Sequence, residues 1–356
     1  MKSAKKEKKT SMSVETPNTN GGQKERPFLK VRFGQSPVYE APEHPRNYPF
    51  KKTTDENVHT LFRRLKIQCD YEKISGAEPI ILEFLNAIAL YVHHLVEPKD
   101  QNFRDYLLDC LEPQLSHLTN NGERRFPLPL GNVIRQLKKA IRNGDATGKT
   151  TKEVVEANVR RWLEEFYKNS ILEATNAIVM FTLEKIERLN ATKILTYSWS
   201  PIVERILLDH ANEAPTHFNV TIIDGMPNGP GTKLLKSLAQ RGVHCTYGGL
   251  NSIANELPQS NIVLLGATAV LSNGNVIAHR GAANVAYLAK AFNIPLLVTV
   301  KSYQFMDKVR TIEKHPVVAL DSELLENVDA ELITALVTDI RILPPTSAPA
   351  VFKAKQ

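Results

Sequence analysis

Lys193-Ile194-Leu195-Thr196-Tyr197 and Phe218-Asn219-Val220-Thr221-Ile222-Ile223 open the stretch that decides the fold: each is a short apolar run, followed by a helical pattern. The same unit recurs at Val243-His244-Cys245-Thr246-Tyr247, Asn261-Ile262-Val263-Leu264-Leu265 and Pro295-Leu296-Leu297-Val298-Thr299-Val300. Helical patterns at 200–212, 231–241, 249–257 and 281–293 lie between them, with lengths that suit right-handed crossovers between parallel strands. The alternation predicts a Rossmann-like, doubly wound parallel sheet over residues 190–356.

Ligands of such sheets bind beyond the carboxyl ends of the strands, so chemistry is sought at Ser198, Asp224, Gly248-Gly249, Gly266-Ala267-Thr268 and Lys301. No G-x-G-x-x-G fingerprint follows the first strand and no G-x-x-x-x-G-K-[ST] loop occurs, so no dinucleotide or nucleoside triphosphate cofactor is expected. Asp224 before Gly225 reads as a turn former, with general base or ribose ligand as its other role. Asn273-Gly274, after Val270-Leu271, predicts a hairpin closed by a type I′ turn.

Upstream of residue 190 the period changes to three and four. Leu61 and Leu65, then the run from Pro79 to Ile88, give at least two helices; Tyr106, Leu107, Cys110, Leu111 and Leu115 mark another. Val133, Ile134, Leu137 and Ile141 mark a further amphipathic helix, and Thr151–Leu189 reads as one long helix with Trp162, Phe166, Ile171, Ile178 and Phe181 inward. Residues 55–189 are therefore expected to form an all-helical domain. Residues 1–54, rich in Lys, Thr, Ser, Asn and Pro, have the composition of a disordered arm.

The formal net charge of +7 raises the question of a nucleic-acid partner. Part of the excess sits at Lys2, Lys5, Lys6, Lys8 and Lys9, where no aromatic residue interleaves; a solubilising tail is the first reading, a nuclear address or RNA contact the second. Cys69, Cys110 and Cys245 are an odd count without metal-ligand or disulfide spacing, so no metal is expected. No run of about 18 apolar residues appears, and the lysine-rich start lacks the apolar stretch of a secretory signal, which makes the cytosol the expected place and a membrane partner unexpected.

From Asn261 the chain reads Asn-Ile-Val-Leu-Leu-Gly-Ala-Thr-Ala-Val-Leu-Ser-Asn-Gly-Asn-Val-Ile-Ala-His-Arg-Gly-Ala-Ala. This resembles the signature shared by initiation factor 2B alpha, beta and delta subunits and the methylthioribose-1-phosphate isomerases. Phe292-Asn293-Ile294-Pro295, Ser302-Tyr303-Gln304-Phe305, Gly131-Asn132-Val133-Ile134-Arg135-Gln136-Leu137-Lys138 and Val58-His59 with Gln68 resemble further motifs of that family in order. Ile342-Leu343-Pro344-Pro345-Thr346-Ser347-Ala348-Pro349 is similar to the ending of its delta branch.

The resemblance implies a non-catalytic regulatory subunit of the factor that exchanges guanine nucleotide on initiation factor 2. The implied partners are the alpha, beta, gamma and epsilon subunits and initiation factor 2 with its phosphorylated alpha subunit, and no direct nucleic-acid contact is implied. The family's isomerases use a cysteine after the first strand and an aspartate in a Gly-Ala-Asp motif; Ser198 and Thr268 stand there, and neither replaces an acid–base pair. The resemblance also marks Ser198, Asp224, Thr268, Asn273 and Gly274 as a relic sugar-phosphate pocket, and Arg135, Lys138 and Lys139 as the first place to seek a phosphate-sensing cleft. Two departures are plain: Glu78 stands where the family has an arginine, and residues 224–232 lack the family's arginines and glutamate. Also open are an aldose–ketose isomerase and a metabolite-binding homodimer.

Overall fold

Three hydrophobic cores, one among helices and one on each face of a sheet, lie side by side, and the segment Lys301–Met306 sews the helical part to the sheet. The computed structural model describes residues 58–71, 74, 76–99, 101–120, 126–142, 151–213, 218–307 and 325–354. The expected arm at 1–54 lies outside these residues. Helices α1 (Thr60–Asp70), α2 (Ala77–His94), α3 (Phe103–Asn120), α4 (Leu130–Arg142) and α5 (Lys152–Glu165) come first. Phe62, Phe84, Ile88, Leu107, Leu111, Val133 and Leu137 are among their fully buried side chains. Their three- and four-residue spacing sets the inward faces.

The long helix does not stay regular. After α5 a π-helical segment, Phe166–Glu173, precedes α6 (Ala174–Arg188). Phe166 and Ile171 are both buried although five residues apart, a spacing that a wider turn brings to one side. They join the helical core, whereas Ile178, Val179 and Ile186 of α6 pack on the sheet. The same helix thus serves both cores.

The sheet part runs β1 (Lys193–Tyr197), α7 (Pro201–Glu213), β2 (Asn219–Asp224), α8 (Gly231–Ala239) and β3 (His244–Gly249). Then come α9 (Ile253–Glu256), flanked by short 3₁₀ turns, β4 (Ile262–Gly266), the pair β5 (Ala269–Val270) and β6 (Val276–His279), α10 (Ala282–Ala291) and β7 (Leu296–Thr299). The last elements are β8 (Leu325–Val328), β9 (Ala335–Val337), β10 (Ile342–Leu343) and α11 (Ala348–Ala354). Among the described residues the large sheet has the order β10-β9-β7-β4-β1-β2-β3, parallel except for β10. The order reverses between β1 and β4, which defines the switch point of a doubly wound α/β fold. β5, β6 and β8 form a separate antiparallel sheet.

Several local expectations change. The helix expected at 249–257 is broken into α9 and 3₁₀ turns, with Pro258 inside the second of them. The hairpin forms, but its turn is not type I′: Asn273 does not have positive φ, and Gly274 does, at 85°. The Gly274 N–H donates to Leu271 O at 2.9 Å and the Leu271 N–H to Asn275 O at 2.8 Å, the three-residue loop in which only the last position is left-handed.

Lys301 to Met306, directly after β7, is buried residue by residue. Asn132 of α4 donates through Nδ2 to Tyr303 O at 3.0 Å and Phe305 O at 2.7 Å. Gln304 Nε2 donates to Ala267 O and Thr268 O, each at 3.1 Å, and Asp339 accepts from the Ser302 N–H and hydroxyl at 2.6 and 2.7 Å. Buried backbone groups without partners are expensive, so Asn132 is the helical part's contribution to a necessary account. Replacing Asn132 with Ala should lower stability by about 2 kcal/mol, since two buried carbonyls lose a donor. Urea unfolding of the full chain reads this; a change under about 0.5 kcal/mol would mean that water replaces the amide.

Candidate functional site

Two places carry polar chemistry: the crevice at the switch point and the outer face of α4. In the crevice, Ser198 ends β1 in the left-handed region, with φ of 57°, while its N–H donates to Ile223 O at 2.7 Å. A buried non-glycine residue held so is strained by of order 1–3 kcal/mol, and the pairing to β2 holds it in place. Asp224, at the end of β2, is also buried; its Oδ2 accepts the Gly231 N–H at 2.7 Å and the Tyr247 hydroxyl at 3.0 Å. Burial pushes the Asp224 carboxyl above the usual carboxylate range, opposed by hydrogen bonds from Gly231, Tyr247, Gly225 and Ser198.

Asp224 is therefore the acceptor for the first N–H of α8, a position where the helix dipole favours an anion. The chain must come close to allow it: a Cβ on Gly231 would sit 2.7 Å from Asp224 Oδ2 and 2.9 Å from Ile222 Cγ2. Beside it the Tyr197 hydroxyl donates to Arg280 O. Burial, with Asp224 and Glu326 nearby, pushes that hydroxyl's pKa up to about 12.

Of the pocket positions drawn from the sequence, Ser198 and Asp224 come together. Thr268 belongs to the hairpin ladder, its N–H donating to Ile277 O at 2.8 Å. Gly274 lies against Pro345, where a Cβ would approach the Pro345 carbonyl to 2.5 Å, and Asn273 Oδ1 accepts the Asn275 N–H at 3.1 Å. These two residues shape a turn against the C-terminal segment. His279 is exposed at the end of β6. Glu78, the acid at the family's arginine position, accepts from Lys301 Nζ. Sequence reasoning missed this partner because Lys301 lies 223 residues away.

Helix α4 is built differently from its neighbours. Leu130, Val133, Leu137 and Ile141 bury one face, while Arg135, Lys139 and Arg142 are exposed on the other. Its 13 residues include four cations and no acid. A hollow of about 430 Å³ is lined by Gly131, Ile134, Arg135, Lys138, Lys139 and Arg142. Lys138 Nζ donates to Glu112 Oε2 of α3 at 2.7 Å, which partly neutralises the strip. Arg142 was not anticipated as part of it, although its place one turn after Lys138 on an acid-free helix was legible. Solvent-facing helices ordinarily mix signs, so an acid-free basic face is suited to an anionic partner. Among the described residues no group of three or more His, Cys, Asp or Glu is placed to hold a metal ion, and no helix is long and apolar enough to cross a membrane.

The fold and the crevice define a doubly wound α/β protein with a helical cap on its N-terminal side. Residues 73–345 match the initiation factor 2 subunit family, and the chain belongs to that family. It is 24% identical over 337 residues to translation initiation factor eIF2B subunit delta of Schizosaccharomyces pombe, spanning 85% of this chain and 70% of that one. With the delta subunit of Dictyostelium discoideum it is 26% identical over 311 residues, 79% of this chain but only 49% of that longer protein. The crystal structure of eIF2B delta from Chaetomium thermophilum superposes with a TM-score of 0.70 at 24% identity, covering 80% of this chain and 99% of that one. A chain of the tetrameric eIF2B-beta2-delta2 complex from C. thermophilum gives 0.68 at 24% identity, covering 79% and 92%. The match bears out the expected resemblance to delta subunits and the expected helical and α/β architecture.

The close approach at Gly231 generates a test with a definite sign. Gly231→Ala should cost about 2 kcal/mol through overpacking against Asp224 and Ile222. In Asp224→Ala/Gly231→Ala the clash with the carboxylate is gone, so the pair should cost less than the sum of the single changes. Denaturant midpoints of the four proteins decide it, additive costs being the contrary result.

Proposed function

We propose that the chain is a non-catalytic, regulatory, delta-type subunit of the guanine-nucleotide exchange factor for initiation factor 2, acting in the cytosol with alpha, beta, gamma and epsilon subunits. In this reading it senses phosphorylation of the alpha subunit of initiation factor 2 through the basic face of α4. The observation that carries the sensing role is the convergence of Arg135, Lys138, Lys139 and Arg142, four cations of a helix without an acid, on one hollow. A phosphoserine brings roughly −1.5 to −2 charges and three acceptor oxygens, which guanidinium and ammonium groups can meet with one to three charge-assisted hydrogen bonds.

Two further points support the regulatory reading. The relatives named above are delta subunits, and a solved relative is a beta–delta complex, which makes a beta subunit the first partner to seek. The crevice offers a serine hydroxyl beside a carboxylate already engaged by Gly231 and Tyr247, a poor proton shuttle for aldose–ketose isomerisation. Residues 190–356 would then be a pairing domain, with 55–189 forming the cleft.

The test has two arms. Tagged full-length chain purified from its native cytosol should bring down the other subunits in fixed proportion; recovery of the chain alone would overturn the proposal. With the assembled complex, Arg135→Glu/Lys139→Glu should weaken binding of phosphorylated alpha subunit at least tenfold while leaving the unphosphorylated form within about twofold. Equal losses for both forms would remove α4 from the sensing role.

A further inference from the structure

Where the start of α1 meets the end of α2, three histidines gather. His59 is the N-cap of α1, and its ring Nδ1 accepts the Leu61 N–H at 3.3 Å. The backbone N–H of His59 donates to Gln114 Oε1 of α3 at 2.8 Å. The His59 ring lies 6.0 Å from that of His94 and 5.3 Å, edge-on, from that of Tyr91, both on α2. His93 lies 6.1 Å from His94 and contacts Glu156 of α5 through Nδ1 at 3.1 Å.

From these contacts we infer that His59, His93 and His94 form a proton-sensitive latch that holds the start of α1 against the end of α2 at neutral pH and releases it on acidification. The chemistry is forced by the cap. An imidazole can accept the Leu61 N–H only through an unprotonated nitrogen, so the capping form is neutral with its proton on Nε2. An imidazolium at that place loses the acceptor and sets a positive charge at a helix N-terminus, where the dipole opposes it. His93 and His94 sit in the last turn of α2.

Charged and polar groups of three helices surround the cluster. Facing the cluster from α2 are Tyr91, His93 and His94, from α3 Gln114 and Cys110, whose carbonyl accepts the Tyr91 hydroxyl, and from α5 Glu156, Lys152 and Arg160. Arg63 follows one turn later on α1 itself. Glu156 is shared between His93 and Arg160, so it serves His93 and not His59. Burial first, and then His94, hold His59 below the ordinary histidine value. The unfolded chain therefore binds this proton more readily than the folded one. The neutral cap contributes its full stability above about pH 6.5, and that contribution is lost as pH falls through the lower, folded value.

Hydrogen exchange of the full chain, corrected for the intrinsic effect of pH, tests the latch. Between pH 7.5 and 5.5, protection of the segment 60–70 should fall about five- to tenfold in the wild type, while that of 174–188 holds. His59→Asn supplies a cap that does not titrate, and should keep protection at both pH values; His59→Ser serves the same purpose if the asparagine variant folds poorly. His94→Gln should move the loss to higher pH. Constant protection of 60–70 in the wild type, or an unchanged loss in both His59 variants, would overturn the inference.

Discussion

A chain segment that is buried at every position needs partners for its backbone N–H and C=O groups, and Lys301–Met306 imposes that constraint on everything around it. The donors and acceptors come from three directions: Asn132 and Glu78 from the helices, Asp339 from beyond β9, and the carbonyls after β4. Because these groups must all be in place together, the helices cannot slide over the sheet without orphaning several of them. The Lys301–Glu78 pair adds little net stability on its own terms, since desolvation offsets attraction, but losing one partner would strand a charge. Its value is in fixing which face of the helical part meets the sheet. The outward direction of the α4 cations follows from the inward direction of Leu130, Val133, Leu137 and Ile141 on the same helix.

The crevice shows the same economy of polar groups turned to a different end. In a doubly wound sheet the switch point is where a ligand would find strand ends and helix N-termini converging. Here the converging groups largely satisfy one another: Asp224 takes the α8 amide, Tyr247 and Ser198 attend the same carboxylate, and Tyr197 reaches the Arg280 carbonyl. A carboxylate with that many donors is committed to structure.

The strands β1, β2, β3, β4 and β7 were legible because each falls in a self-contained run of β-prone residues set off from the helical patterns around it. β8, β9 and β10 were not, being two to four residues long and defined only by the neighbours they pair with. The π-helical segment was invisible to a 3.6-residue template that counted Phe166 and Ile171 as members of one stripe. Asn132 and Ser302–Phe305 were recognised as motifs without their reason, since the bonds that join them span more than 170 positions. The basic face of α4 was partly legible from charge alone. The histidine latch was not, because His59 and His94 meet only when α1 and α2 pack.

The π-helical segment between α5 and α6 has a mechanical meaning of its own. An α-helix turns about 100° for each residue, so two cores served by one continuous rod must agree on angular phase or one of them is left facing solvent. Phe166–Glu173 acts as a phase adjuster, taking up the mismatch between the side that points at the helices and the side that points at the sheet. A rod that carries its own adjuster lets the two cores drift in composition independently, because a change in the preferred angle at one end need not propagate to the other.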